Sequence, residues 1–590
     1  MKKLKSGVFL LLFIIFICGT NYAAGIRLGI SGAVKEKVKE LDQKVREAKQ
    51  QNVTMNTDTA GSVTFSSAAL SGTVNPNGLN STVYFEWGTT QTYGNTTARQ
   101  SVGGGTTNIN VNAALTNLSA DTLYNYRIAV TNGAGTTYGS NQTFTTGPLV
   151  FALSGYRNSV FAFSEYQQHI SYLGIQQIRL AGPDAAFWNI GDANKDGIPD
   201  PSFLSKIDGV ITETVQLGLK ITCIITLNSE AGNTFLNEGT ANRTAYINFV
   251  KTIVERYDGD GVSDCSGSPR VTMWQVGNEP NAVGGAGVFL ASEFAKMVSA
   301  TVTAIRQSDS NALIALGGTF GTEQGGTGWE TYYATVLQNL ETGAPGQQLF
   351  NTVDIHLYGN AQGDYRRMVQ DVNSFRTILA GYPQYRDVRI ITTETGTYSG
   401  GDGGSCPPFQ SESEEAANMV KRFVLNIASG VRQIHWARLI ESPGTENKYF
   451  GHCGLIFDGT DDSGDTAHDR GAKLPKRIYY SYHLLTNALL MIDWSQSVSA
   501  QTLSPSINMY SYRFKRAGQA DLIAVWWDYF SDGASFNDTR TINLNEWNLS
   551  ESQINQIISA VTDINGNTRT VSVSGGSFSI NGEPLLIELK

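Results

Sequence analysis

The strongest constraint on the fold is the alternation of short apolar runs with amphipathic helical stretches between residues 148 and 495. The apolar runs are strand-like; they are Leu149–Leu153, Gln177–Leu180, Lys220–Leu227, Val271–Val276, Ala312–Leu316, Thr352–Leu357, Val388–Thr393 and Arg432–Leu439. The helical stretches include Phe203–Leu217, Arg243–Arg256, Leu290–Arg306, Gly328–Leu340, Glu414–Ser429 and Arg477–Leu490. Alternating strands and helices favour a parallel sheet. Eight such units predict a (β/α)₈ TIM barrel, in which the C-terminal strand ends carry the active site.

The segment before the barrel, residues 55–147, has a different character. Ser, Thr, Gly and Asn dominate it, and short alternating runs such as Thr82–Trp87 and Leu123–Val130 predict a β-sandwich. Its pattern resembles a bacterial fibronectin type III module; the residues that carry it are Leu118, Thr122, Tyr124 and Tyr126, followed by Asn132-Gly133. The resemblance implies a spacer, or in some cases a weak carbohydrate or surface binder.

Residues 496–590 return to strand-like runs, which predict a C-terminal β-sandwich packed on the barrel. The predicted strands are Ser511–Phe514, Leu522–Trp527, Val561–Ile564, Thr570–Val573 and Pro584–Leu589. Asn565-Gly566 is a hairpin-turn signal.

The N-terminus predicts export. Lysines 2, 3 and 5, the apolar run Val8–Ile17 and the small residues 23–25 are typical of a signal peptide over residues 1–24. Cys18 opens a lipoprotein alternative, which the bulky Ile17 before it disfavours. We therefore expect a secreted, cell-surface or periplasmic protein, with no later transmembrane helix.

Residues 25–54 predict a helical spacer, because apolar residues at 34, 38, 41, 45 and 48 form a seam of about two heptads. Weak self-association through this helix and a plain surface helix are the alternatives. In an exported protein the cysteines can oxidise. Cys406 and Cys453 follow neighbouring strands and are predicted to form a disulfide, whereas Cys223 lies in an apolar strand and is expected to be a buried thiol. The net charge of −9 argues against a nucleic-acid partner.

Two glutamates end two of the core strands. The run Trp274-Gln275-Val276-Gly277-Asn278-Glu279-Pro280-Asn281 leaves the sheet at its proline, and Val388–Glu394 is a β-branched run that also ends in a glutamate. Carboxylates at the C-terminal ends of the fourth and seventh strands fall on the catalytic face of a barrel. A lone glutamate after a strand is usually a solvated charge, but the pair predicts a two-carboxylate site.

Gly-Asn-Glu-Pro-Asn after strand four and Thr-Glu at the end of strand seven resemble glycoside hydrolase clan A, the retaining (β/α)₈ glycosidases, with family 39 or family 5 nearest. The resemblance implies Glu279 as acid/base, Glu394 as nucleophile and Asn278 as the ligand of the sugar 2-hydroxyl. Retaining hydrolysis independently requires two carboxyls about 5–5.5 Å apart, one protonated and one ionised. No cofactor is needed for this chemistry.

The same resemblance implies further substrate-binding residues at strand ends. Arg179 matches the arginine beside the nucleophile, His356 and Tyr358 match a His-x-Tyr pattern that lines the site, and Trp436 matches the aromatic floor of the sugar subsite. Trp188 is predicted to stack on a further ring. Structural roles are the alternatives: a salt bridge for Arg179, a satisfied core histidine for His356 and loop packing for Trp188.

Residues 192–200 form a candidate calcium loop. Asp192, Asn194, Asp196 and Asp200 occupy positions 1, 3, 5 and 9 with glycine at position 6, but Phe203 stands where an EF-hand has its glutamate. The sequence leaves open whether this loop binds structural calcium or is a metal-free polar loop. A similar but weaker candidate for a calcium site is formed by Asp258, Asp260 and Asp264.

The sequence thus predicts a secreted retaining glycosidase acting on an oligosaccharide or polysaccharide. A transglycosylase with the same site and a non-catalytic glycan-binding surface protein are the alternatives.

Overall fold

The computed structural model describes most of the chain. The described residues are 36–37, 39–40, 53–148, 150–155, 161–227, 239–282, 289–320, 328–359, 364–400, 409–441, 451–459, 471–496, 499–500 and 508–590. Contacts divide the chain into two compact units. One comprises Met1–Ala60, Ala69–Leu115 and Tyr124–Phe144, and the other Gly61–Ala68, Thr116–Leu123 and Thr145–Lys590.

The larger unit contains a closed barrel of eight parallel strands. They are Phe151–Ser154, Gln177–Leu180, Lys220–Thr226, Met273–Val276, Leu313–Leu316, Thr352–Asp354, Arg389–Gly396 and Val431–Trp436. Each strand pairs in parallel with the next, and the eighth pairs back to the first through Phe151 and Ile434. The short strands Ala186–Phe187 and Leu357–Tyr358 pair in parallel with the third and seventh strands, and Arg438–Ile440 pairs with Gly454–Ile456. The predicted barrel and its eight strands are confirmed.

Amphipathic helices cover the barrel. They are Phe163–Leu173, Trp188–Gly191, Pro201–Gln216, Ala241–Arg256, Ala291–Ser308, Trp329–Gly343, Arg367–Ala380, Glu412–Ala428 and Arg477–Leu489. Short 3₁₀ turns occur at Gly182–Asp184, Asp364–Arg366, Pro383–Tyr385, Tyr529–Asp532, Leu544–Trp547 and Glu551–Gln553. Helix Glu412–Ala428 begins with a capping box in which Ser411 and Glu414 exchange hydrogen bonds, which fixes the first turn of the helix. Within the described residues, no helix has the length and apolarity needed to cross a bilayer.

The smaller unit consists of antiparallel sheets. Its strands are Thr54–Thr57, Ala68–Asn75, Ser81–Gly88, Asn95–Thr96, Gln100–Gly103, Ile109–Leu115, Leu123–Asn132, Gly135–Tyr138 and Gln142–Thr145, in one three-stranded and one six-stranded sheet. The two sheets pack closely at Gly72, where a Cβ would meet Ile128 at 2.9 Å and Phe85 at 3.5 Å. This is the two-sheet packing of a β-sandwich.

The C-terminal strands belong to the larger unit. They are Ser499–Ala500, Met509–Phe514, Leu522–Trp527, Arg540–Asn543, Ile554–Ser559, Ser577–Ile580 and Leu585–Leu589. All six residues of Leu522–Trp527 are buried, because alternate residues face two cores. Leu522, Ala524 and Trp526 pack in the barrel core, whereas Ile523, Val525 and Trp527 pack in a second core between the C-terminal sheets.

Two predicted C-terminal strands are wrong. Val561–Ile564 lies outside the sheet, and the strand ends earlier, at Ser559. The backbone amide of Thr562 donates instead to the Ser481 hydroxyl on the last barrel helix, at 3.0 Å, which removes it from the ladder. In Thr570–Val573 only Thr570 makes an isolated bridge.

Several predictions fall wholly or partly outside the described residues: the signal peptide, most of the 31–50 helix and Cys406 of the predicted disulfide. Residues 36–37 and 39–40 are helical. Cys223 is a buried free thiol, as predicted, and burial raises its pKa to about 12.

Candidate active site

Glu279 reaches the barrel mouth through a strained turn after strand four. Gly277 has a φ of 84°, and a Cβ there would meet Phe294 at 2.6 Å, so only glycine fits. Glu279 itself has a φ of 45°, in the left-handed region that few non-glycine residues adopt. Left-handed backbone persists where the surroundings enforce it, frequently at functional sites. Strand four ends at Val276, and the chain leaves the sheet in the Asn-Glu-Pro turn, as the sequence predicts.

Glu394 lies within strand seven and is held by two donors. The Arg179 guanidinium donates to one carboxylate oxygen, and the Tyr358 hydroxyl donates to the other at 2.8 Å. Burial raises the pKa of Glu394, but the charges of His356 and Arg179 outweigh it and lower that pKa to about 2. Glu394 is therefore a carboxylate at any ordinary pH.

Arg179 connects four strand ends. It is fully buried, and besides Glu394 it donates to the side chains of Gln275 at 2.7 Å, Ser154 at 3.3 Å and Asn278. The bond to Asn278 fixes the orientation of that amide at the barrel mouth. A planar guanidinium with several donors suits this linking role.

The surroundings of Glu279 shift its pKa in the opposite direction from that of Glu394. Burial raises its pKa above the ordinary value, and the hydrogen bond from His356 Nδ1, at 2.8 Å, only partly offsets this. One carboxylate oxygen each of Glu279 and Glu394 and one ring nitrogen of His356 lie within 4.8 Å of one another. The side chains of Glu279 and Glu394 are 24% and 19% exposed, so both are accessible from solvent.

The site also contains residues that were not predicted from the sequence. Asp354, Thr393 and Gln275 form a buried layer beneath the histidine. Asp354 Oδ2 lies 3.1 Å from His356 Nε2, and Gln275 donates to the same oxygen at 3.0 Å. The spacing of Asp354 from His356 and Tyr358 was the sequence signal that could have identified it. Alternate residues of an extended segment point to the same side, so Asp354 was expected to share a side with the other two.

The two predicted aromatic contacts are both buried. Trp436 is fully buried, and its Nε1 donates to the Cys453 carbonyl at 2.8 Å. Trp188 is 1% exposed, packs against Tyr246 and donates to Asp192 at 2.6 Å. An enclosed ring presents no face to a sugar, so the geometry of Trp188 is at odds with the predicted stacking and favours the packing alternative.

The candidate calcium loop is held by its own hydrogen bonds. Asp192 accepts from the amides of Asp196 at 3.1 Å and Gly197 at 2.8 Å, and Asp200 accepts from Ala193 at 3.0 Å. Two groups of three His, Asp or Glu side chains among the described residues have potential ligand atoms within 4.8 Å of one another. Neither group includes a residue of this loop.

Two clusters of the described residues could hold a metal ion by distance alone. Asp258, Asp260 and Asp264 form one, but each of them accepts a backbone amide of the same loop. The other is Glu279, His356 and Glu394, where the guanidinium of Arg179 already neutralises Glu394. The second cluster is therefore better suited to acid–base chemistry than to metal binding.

Comparisons with known proteins identify a family and similar folds. Residues 143–438 match the family model described as Cellulase (glycosyl hydrolase family 5). No curated protein matches the chain. Among solved structures, a thermostable GH51 α-L-arabinofuranosidase from Thermotoga petrophila is 12% identical, with a TM-score of 0.50 over 75% of this chain and 96% of that one. A glucosidase from Croceicoccus marinus is 14% identical over the same shares, with a TM-score of 0.49. At these identities the structural likeness concerns the fold alone.

Proposed function

We propose, from the premise that the chain belongs to glycosyl hydrolase family 5, that it is an exported enzyme that hydrolyses a glycan with retention of anomeric configuration. Clan A membership makes it an O-glycosyl hydrolase. The proposal assigns Glu279 as acid/base and Glu394 as nucleophile.

The observation that carries the proposal is the contrast between two neighbouring carboxyls. Glu279 and Glu394 have oxygens within 4.8 Å of each other, yet the pKa of Glu279 is raised and that of Glu394 is lowered to about 2. Retaining glycosidases keep their carboxyls about 5–5.5 Å apart, whereas inverting enzymes need about 6.5–9.5 Å to admit a water. A carboxyl with a raised pKa close to an ionised carboxylate supports double displacement.

In the first step a Glu394 oxygen bonds to the anomeric carbon, the glycosidic C–O bond breaks, and the Glu279 proton passes to the departing oxygen. In the second step Glu279, now a carboxylate, takes a proton from water while the water oxygen attacks the anomeric carbon and releases Glu394. Two inversions at that carbon give net retention. Transglycosylation would differ only in that a sugar hydroxyl replaces the water.

The remaining proposed roles concern binding. The amide of Asn278, oriented by Arg179, suits a sugar 2-hydroxyl, where hydrogen bonds strengthen in the transition state. Tyr358 and Arg179 both donate to Glu394, so they aim the nucleophile and keep it ionised. His356 contacts the acid/base, and Trp436 backs the subsite from the core.

Covalent trapping tests the proposal. The purified protein is incubated with a panel of 2-deoxy-2-fluoro glycosides that carry an activated leaving group, and the adduct is located by peptide mass spectrometry. The fluorine slows both steps, and the good leaving group lets the glycosyl-enzyme accumulate. We expect an adduct on Glu394, and the sugar that reacts identifies the glycone subsite.

The control is Glu394→Ala, which must form no adduct under the same conditions. An adduct on any other residue would overturn the assignment of the nucleophile. Glycan binding without an adduct, and without turnover by the wild-type protein on natural polysaccharides, would favour the non-catalytic alternative.

The flanking modules and the predicted N-terminal signal support an extracellular glycan polymer or oligomer as substrate. The fibronectin type III likeness of residues 55–147 remains a prediction, since the family match begins at residue 143. Sequencing the N-terminus of protein recovered from the medium or periplasm tests export, with cleavage expected near residue 24.

A further inference from the structure

Asp354 is a buried carboxylate with several hydrogen-bond partners beneath the catalytic pair. It is fully buried, and its Oδ1 accepts the Thr393 amide at 2.7 Å. Its Oδ2 accepts from the Thr393 hydroxyl at 2.5 Å and from Gln275 Nε2 at 3.0 Å, and lies 3.1 Å from His356 Nε2. An ionised carboxylate only accepts hydrogen bonds. The Nε2 atom of His356 therefore carries a proton.

The other ring nitrogen of His356 also faces carboxyl oxygens. Nδ1 lies 2.8 Å from Glu279 Oε1 and 3.6 Å from Glu394 Oε2. An imidazole with a carboxyl oxygen at each nitrogen matches the doubly protonated, cationic form. Although burial lowers the pKa of His356, the charges of Glu394 and Asp354 raise it well above its ordinary value.

The positive and negative charges of the site are equal in number only when the carboxylate of Asp354 is included. With Glu279 protonated, the carboxylates of Asp354 and Glu394 match the cations Arg179 and His356. The other titratable groups packed here are neutral: burial lowers the pKa of His435 to about 4 and raises the pKa values of Tyr333 and Tyr358 well above the ordinary value.

We propose that Asp354 is a positioning residue that acts through His356. It binds the Nε2 proton, keeps the ring cationic and aims the Nδ1 proton at Glu279 Oε1, so that Glu279 Oε2 carries the proton delivered to the leaving group. This rests on the proposed function of Glu279 and adds a residue that never touches the substrate.

The backbone just after strand five approaches this contact closely. A Cβ at Gly318 would lie 2.2 Å from His356 Nε2 and 2.6 Å from Asp354 Oδ2, wedged between the two side chains. Glycine is thus required at 318 because the histidine–aspartate pair approaches the chain closely. Gly318→Ala disturbs the pair without changing any charge.

The test compares Asp354→Asn with the wild type over a range of pH. Removing the negative charge beside His356 makes the ring give up its proton more readily, so the alkaline limb of kcat/KM should move to lower pH by about one unit, because the cationic ring is lost before Glu279 ionises. The acid limb, which reports Glu394, should not move upward. Gly318→Ala should shift the alkaline limb in the same direction.

A matched control is Asp258→Asn. Asp258 is 4% exposed and precedes strand four, at the opposite end of the barrel from Glu279. It should leave the profile unchanged. A purely structural role for Asp354 would lower activity equally at every pH, and that result would overturn the proposal.

A direct measurement needs no variant of Asp354. ¹⁵N spectra of histidine-labelled wild-type protein, with the His356 signal identified by its loss in His356→Asn, should report both ring nitrogens protonated from pH 5 to 8. Loss of one proton near pH 6.5 would refute the proposal. This readout is independent of turnover. A cationic His356 in a protein that forms no adduct and turns over no natural polysaccharide would therefore mean that the proposed function, and not this inference, has failed.

Discussion

At the scale of single residues, Glu279 and Glu394 have the same side chain and differ in what faces them. Azide can test the proposed roles because it needs no general base and fits the space left by a truncated carboxylate. With Glu279→Ala, azide should restore turnover of an activated aryl glycoside and yield a glycosyl azide of retained configuration. Loss of the general acid should lower kcat/KM on unactivated glycans by about 10²–10⁴-fold.

The counterpart is Glu394→Ala, in which azide attacks the substrate directly and should give a product of inverted configuration. NMR of the two products distinguishes the configurations. Products of the same configuration from both variants would contradict the assignment.

The pH profile should be bell-shaped, because the proposed mechanism requires Glu394 ionised and Glu279 protonated. With a Glu394 pKa of about 2, the acid limb should appear only at or below about pH 3. The alkaline limb follows Glu279, whose pKa lies above its ordinary value. Tyr358→Phe removes a hydrogen bond that lowers the Glu394 pKa, so the acid limb should move to higher pH while the alkaline limb stays. A shift of the alkaline limb alone would contradict this.

The sequence predicted the residues that end strands and missed those that support them. Glu279, Glu394, Arg179, His356 and Tyr358 could be placed because barrel topology brings strand ends together. The linkage of Asp354, Gln275 and Ser154 to them depends on which side chains meet after the barrel closes. For Trp188 the sequence left stacking and packing open for the same reason: a tryptophan after a strand looks alike in sequence whether it faces solvent or core.

At the scale of elements, the loop 192–200 illustrates a buried carboxylate that organises backbone. Asp192 is fully buried and accepts from the Trp188 indole at 2.6 Å and the Gly197 amide at 2.8 Å. Asp192→Ala leaves both donors buried without that acceptor. It should lower the free energy of unfolding of the larger unit, which contains the barrel, by about 2–3 kcal/mol. The midpoint of urea inactivation measures this.

The matched control is Asp196→Ala in the same loop. Asp196 is exposed and accepts from Ile198 at 2.8 Å, so water can replace it. Equal losses in the two variants would mean that burial of Asp192 is not what stabilises the loop.

Element types were predictable where hydrophobic periodicity was strong, as in Leu522–Trp527. The end of the strand at Ser559 was not, because it depends on a hydrogen bond from Thr562 to Ser481, a residue 81 positions away. Sequence patterns describe local preference, and such tertiary bonds override it.

At the scale of the whole molecule, a second cluster of buried charged side chains lies around Lys476, outside the active site. Lys476 is fully buried, and its Nζ donates to Glu415 at 2.9 Å, Glu441 at 2.8 Å and the His452 carbonyl at 2.9 Å. These contacts join the first turns of two barrel helices to the segment that follows strand eight. Two carboxyls face one cation, so one carboxyl should stay protonated at neutral pH.

The pKa values support this arrangement. Burial raises the pKa of Glu415 to about 7 and that of Glu441 to about 8, and the attraction of Lys476 only partly offsets the effect. Unfolded glutamates titrate near 4.3. Between about pH 4.5 and 8 the folded protein therefore binds more protons at this site than the unfolded chain, and its contribution to stability falls as pH rises through that window.

Glu441→Gln should remove most of that slope, because the amide keeps the shape and leaves a balanced Lys476–Glu415 pair. We expect the variant and the wild type to have similar stability at pH 5, and the variant to be more stable by roughly 2 kcal/mol at pH 8. Thermal unfolding at a series of pH values measures the difference, with the exposed Glu551→Gln as control. A Glu441→Gln protein that is less stable at pH 8 would mean that both carboxylates are ionised in the native state, with Lys476 holding the pair together.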